Sequence, residues 1–120
     1  MFVEYEFLIL IEPCLVDTYT ATKKVTIITY NIGAPSLTDG VYTFQEDPVC
    51  NYPQSVTLTS LPSFAQHNEQ SSDFTIPKNT DLNIIGAYIV TIRSEISKPD
   101  DHTKSSYTTM FVEYDFEFHI

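Results

Sequence analysis

The chain opens with a near copy of its own end. Residues 1–11 read MFVEYEFLILI and residues 110–120 read MFVEYDFEFHI. Met, Phe, Val, Glu and Tyr match in order; Glu6 then faces Asp115, Phe7 faces Phe116 and Ile11 faces Ile120. Such self-similarity constrains architecture more than composition does, because copies of one segment compete for one place in a fold. The offset of 109 residues (110 − 1) is too long for a solenoid or propeller repeat and fits one independently folding domain. We therefore divide the chain into 1–11, the last strand of a preceding repeat or a donor strand to a neighbour, and 12–120, one repeat. Met1 is matched by Met110 and need not be an initiator, so the chain reads as a window on a longer polymer in which a missing targeting signal is expected.

The two copies differ in a useful way. Val112, Tyr114, Phe116, Phe118 and Ile120 alternate with Glu113, Asp115, Glu117 and His119, the pattern of a strand with one buried and one wet face. In the first copy the inward set is Val3, Tyr5, Phe7, Ile9 and Ile11, while the outward set becomes Glu4, Glu6, Leu8 and Leu10. Loss of polar residues in its second half predicts cover on both faces, as at a junction between units. Tolerated surface leucines on a terminal strand are the simpler alternative.

Thr, Val, Ile, Tyr and Phe crowd the rest of the chain, and such branched or flat side chains suit a pleated surface. Short strands are predicted at 25–32, 41–45, 56–58, 74–76, 87–96 and 105–120, punctuated by Gly33-Ala34-Pro35, Asp39-Gly40, Glu46-Asp47-Pro48, Leu61-Pro62 and Lys98-Pro99-Asp100-Asp101. Residues 17–24 read as loop or weak edge strand, and 63–72 as an exposed connection. No segment carries a sustained 3.6-residue period, so helix should be nearly absent. About seven strands predict an all-β, two-sheet sandwich.

Sixteen acidic against six basic residues give a formal charge of −10, which disfavours nucleic acid and anionic membranes. The acidic surface serves solubility, or binds divalent cations. Cys14 and Cys50 lie 36 apart, a spacing that matches no zinc or redox motif. We read them as a disulfide, hence an extracellular or cell-surface protein, with two buried thiols as the alternative. No apolar stretch reaches membrane-spanning length, so no membrane insertion is expected of this segment.

Asp81-Leu82-Asn83-Ile84-Ile85-Gly86-Ala87-Tyr88, with Val90 and Ile92 after it, resembles the tyrosine corner of immunoglobulin-like sandwiches, where Tyr88 would bond back to the preceding loop. With the Phe116-x-Phe118-x-Ile120 ending and the Pro13-Cys14 start, the unit resembles cadherin-like and immunoglobulin-like tandem repeats of large microbial and protist surface proteins. That resemblance implies stalks, filaments or adhesins rather than enzymes. The Asp-Asn-Asp calcium linker of cadherins and the inter-sheet cysteines and core Trp of antibody domains are missing.

Candidate chemistry is sparse. His67, His102 and His119 show no metal spacing from one another and read as surface histidines. There is no nucleophile elbow or phosphate loop, and no catalytic or cofactor-binding residue is expected. Asp100-Asp101 with Glu12 or Glu46-Asp47 offers oxygen ligands for Ca²⁺ at a domain junction but places no third ligand; a solvated turn is the other reading. Asn31, Asn51, Asn68, Asn79 and Asn83 all lack Ser or Thr two residues on, which leaves only O-linked glycans open. The expected function is a structural repeat of an extracellular filament or stalk, joined to identical units head to tail through the 1–11 strand. The rival is an adhesin-type module binding glycan or a cell-surface partner through Tyr42, Phe44, Tyr52 or Phe64.

Overall fold

A computed structural model describes residues 1–99 and 107–120. Nine strands follow one another: β1 (Thr18–Lys23), β2 (Ile27–Thr29), β3 (Leu37–Asp39), β4 (Thr43–Asp47), β5 (Gln54–Thr59), β6 (Gln66–Asn68), β7 (Asp73–Ile76), β8 (Ala87–Pro99) and β9 (Tyr107–His119). The one helical element among the described residues is a single 3-10 turn, Leu82–Ile84. The fold is all-β, as expected, and arranged as a sandwich.

One layer is the four-stranded sheet β2-β9-β8-β5; the other is made of β3-β7-β6 and the pair β1-β4. The β8–β9 ladder is the spine, antiparallel from Ala87↔His119 to Pro99↔Tyr107. On its inner face Val90, Ile92, Ile96, Phe116 and Phe118 are buried, because alternate residues of a strand share a side. They meet Phe74 and Ile76 of β7 and Ile28 of β2 in one core. Ring centroids of Phe74 and Phe116 lie 4.7 Å apart, in the range of favourable aromatic pairing. The buried Ser94 hydroxyl is matched by Tyr19 across the layers, with oxygens 2.6 Å apart, so neither polar group is stranded.

The predicted strands fall close to observed ones, with one open choice decided and two additions. Residues 17–24 contain a true strand, β1, paired with β4. The stretch read as an exposed connection contains β6, paired with β7. Leu37–Asp39 forms β3, which also pairs with β7. Gly40, in the predicted turn, has φ +84°, and a Cβ there would lie 2.8 Å from Ile28 Cδ1. That turn needs glycine both for backbone and for space. The turn expected at Lys98–Asp101 and the start of the final strand at 105 lie partly outside the described residues.

The molecule measures 85 × 31 × 18 Å. A 13-residue strand rises about 43 Å and eleven extended residues about 36 Å, which together account for most of the long dimension. Residues 1–11 thus project from one end of the sandwich instead of folding back on it.

Candidate functional site

The two copies of the repeated segment have opposite surroundings. In the second, Phe116 is 1% exposed; its counterpart Phe7 is 75% exposed. Val3, Tyr5, Leu8, Ile9, Leu10 and Ile11 are exposed as well, and no residue from 1 to 11 belongs to a strand. The alternating pattern that predicts a strand is present, but it pairs with no strand among the described residues. The place it would take is filled by its copy: β9 is held by β8 along its whole length and by β2, in parallel, at Glu117–His119. From Tyr107 to Phe116 the second edge of β9 pairs with no strand among the described residues.

The anchored part of the chain begins abruptly. Pro13 is buried, Val16 is buried, and Cys14 is bonded to Cys50, with Cα atoms 5.6 Å apart. Asp17 N–H donates to the Asp47 carbonyl at 2.8 Å, and the Tyr52 hydroxyl donates to the carbonyl of Cys14. Pro13 and Cys14 therefore belong to the sandwich. The disulfide closes a loop of 36 residues and ties the entry of the chain to the β4–β5 connection. A disulfide fits an oxidising, extracellular environment.

That connection is organised by a carboxylate whose role was not visible in the sequence. Glu46 is buried at the inward end of β4 and accepts from the N–H groups of Cys50 (2.7 Å) and Tyr52 (2.9 Å). Two charge-assisted bonds offset its desolvation and fix the loop that carries Cys50. Beside it a shallow cleft is lined by Phe44, Glu46, Val49, Tyr52 and Gln54, and Val49 stands 61% exposed at its rim. The calcium reading rests on Asp100 and Asp101, which lie outside the described residues. Within them both Glu46 oxygens accept from backbone donors, and no group of three or more His, Cys, Asp or Glu able to hold a metal is found.

At the other end, Tyr88 opens β8 half-buried, and its hydroxyl donates to the Ile84 carbonyl at 2.7 Å. Asp81 caps the 3-10 turn below it through the N–H of Asn83, at 2.9 Å. Gly86 and Ile120 exchange backbone bonds of 3.4 and 2.9 Å, so this turn is joined to the very end of the closing strand.

The aromatics considered for a binding platform sit in or against the core. Tyr42 and Phe44 are buried, Phe64 packs edge-on against Tyr88 and Phe118, and Tyr52 is held to Cys14. His67 is not a surface histidine: its ring stacks on Tyr42, lies 4.9 Å from Phe74, and its Nε2 is 2.8 Å from the Tyr42 hydroxyl. Burial lowers its pKa, while Glu69 and Asp73 oppose the shift. Burial likewise pushes the Tyr42 hydroxyl up to about 12. His119 lies half-exposed, 2.6 Å from Glu117 on the outer face of β9; His102 is outside the described residues.

Comparison with protein-family models, with curated proteins and with solved structures finds no match. No helix among the described residues is long and apolar enough to cross a membrane.

Proposed function

We propose that this chain is a structural repeat of an extracellular filament or surface stalk, an immunoglobulin/cadherin-like sandwich coupled head to tail to identical units through residues 1–11. One observation carries the reading. A segment with the sequence of the closing strand lies extended, with its apolar face in water, while the place it matches is already filled. Seven large apolar residues, Val3, Tyr5, Phe7, Leu8, Ile9, Leu10 and Ile11, are a costly display unless a partner covers them, since each would gain roughly 1.5–3 kcal/mol on full burial. The partner with the matching groove would be a preceding copy of residues 12–109, whose closing strand residues 1–11 supply, and strand addition provides the backbone bonds. Such an array does not close on itself and so builds a fibre.

Other features fit a load-bearing role outside the cell. The disulfide binds the entry of the chain to the body, and reducing it should lower the unfolding force. The sheet order β2-β9-β8-β5 and the bond from Tyr88 to Ile84 favour the immunoglobulin/cadherin-like assignment. Burial of Tyr42 and Phe44 weighs against a glycan platform built from these aromatics, so the stalk reading is preferred to the adhesin.

The test is the mass of the natural polypeptide under reducing conditions, read together with its native mass. A large multiple of 13.7 kDa in both marks a covalent tandem chain. A reduced mass near 13.7 kDa with a native polymer marks strand exchange between chains. A native monomer of that mass at high concentration refutes the proposal.

A further inference from the structure

We infer that β6 and the turn after it form a latch over the outer edge of β5, seated by His67, fastened by Glu69 and released when the His67 ring takes up a proton. β5 and β6 are edge strands of the two facing layers: β5 ends the sheet β2-β9-β8-β5, and β6 ends β3-β7-β6. An edge strand leaves a row of backbone donors and acceptors without a neighbouring strand, and such a row invites pairing with another chain. Here the Val56 N–H of β5 donates to the Glu69 carboxylate at 3.1 Å. A side-chain oxygen thus stands where the carbonyl of an adjoining strand would.

Glu69 is exposed, so its own packing does not hold it there. The turn that carries it is tied locally. Asn68 Oδ1 accepts from the N–H groups of Gln70 (3.0 Å) and Ser71 (3.2 Å), and the Ser71 hydroxyl donates to Asp73 at 2.8 Å. β6 is only three residues long and pairs with β7 alone among the described residues. Gln66 and Asn68 are exposed, which leaves His67 as the residue of β6 turned toward the core. The latch is therefore seated by an imidazole. An aliphatic side chain would hold it at every pH; this ring holds it only while neutral.

The groups that face the ring are the Tyr42 hydroxyl, the Phe74 ring and the carboxylates of Glu69 and Asp73. The two carboxylates favour the charged ring, but burial outweighs them. The seated strand thus prefers the neutral form, and below the ordinary histidine value of about 6.5 a proton favours the state in which the ring is hydrated. As His67 leaves Tyr42 and Phe74 it draws Glu69 from Val56. The uncovered edge of β5 then offers its donors to an added strand.

The experiment follows amide protection, relative to open chain at each pH, in the 120-residue chain as a dilute monomer at neutral pH and at about pH 5, beyond the histidine range. The imidazole signals of His67 are titrated alongside. The expected result is loss of protection at Val56 and across the β6–β7 ladder in acid, in step with His67, while Val90, Ile92 and Phe116 stay protected. In Glu69→Ala, Val56 should be unprotected at both pH values with β6 still protected at neutral pH. In His67→Gln, protection of Val56 should be the same at both, whether high or low. Protection of Val56 that survives acid in the parent, or falls equally in His67→Gln, overturns the latch. So does loss at Val56 only together with the core strands, which is global unfolding.

Discussion

Residues 110–120 and residues 1–11 are nearly the same words in different company. The second copy lies between β8 and β2 and buries Phe116 and Phe118 in the core; the first projects past Pro13 and buries nothing. Period-2 alternation is therefore a statement about what a segment can pair with, not about whether a partner is present. The differences teach as much as the identities. The inward residues of β9 have apolar counterparts in the first copy, whereas the outward residues diverge at Leu8 and Leu10 against Glu117 and His119. Outward positions record the neighbourhood of a strand, and inward positions its fold.

Paired substitutions sharpen this contrast. The largest effect is expected from Phe116→Ala, which should cost about 3–5 kcal/mol in denaturant unfolding, the usual loss for a buried phenylalanine. Phe7→Ala in the same chain should change stability by less than about 0.5 kcal/mol, as at other exposed sites. Equal effects would mean the first copy is packed after all. Next, reduction and alkylation of Cys14 and Cys50 should cost about 2–4 kcal/mol and lower the thermal midpoint, because the bridge closes a long loop. An unchanged midpoint would show that the boundary at Pro13 is held by packing alone. Tyr88→Phe, which removes the bond to Ile84, should cost about 1 kcal/mol, and Tyr5→Phe nothing measurable.

The smallest effect is one of pH. His67 has a lowered pKa in the folded state, chiefly from burial, so below the unfolded value of about 6.5 the unfolded chain takes up a proton that the folded chain refuses. Stability should be full above that pH, fall as pH drops through it, and level off below the folded pKa. His67→Gln should flatten that part of the profile. A profile unaffected by the substitution would mean that the Tyr42–His67–Phe74 stack does not exclude the charged ring.

Much of the sandwich was legible because apolar alternation marks its central strands: Val90 and Ile92 in β8, and Phe116 and Phe118 in β9, stand out without help. The strands hardest to read are the ones whose letters carry little apolar signal. β1 reads TYTATK and contributes one large buried side chain, Tyr19; β6 reads QHN and hides its inward residue in a histidine. Glu46 looked like part of a turn because an acidic residue before Asp47-Pro48 is ordinary there. Only the folded backbone shows that Cys50 and Tyr52 present their N–H groups to it. The duplicated segment was legible as a duplication. That Pro13 is already buried in the sandwich depends on packing, which no spacing reveals.

Amide exchange of residues 3–11, measured in the 120-residue chain as a dilute monomer and again with residues 12–109 placed before it, confronts the main idea head on. We expect exchange at the rate of open chain in the first protein and protection matching that of residues 112–120 in the second. Slow exchange in the lone monomer, or none gained on adding the upstream residues, would contradict the account.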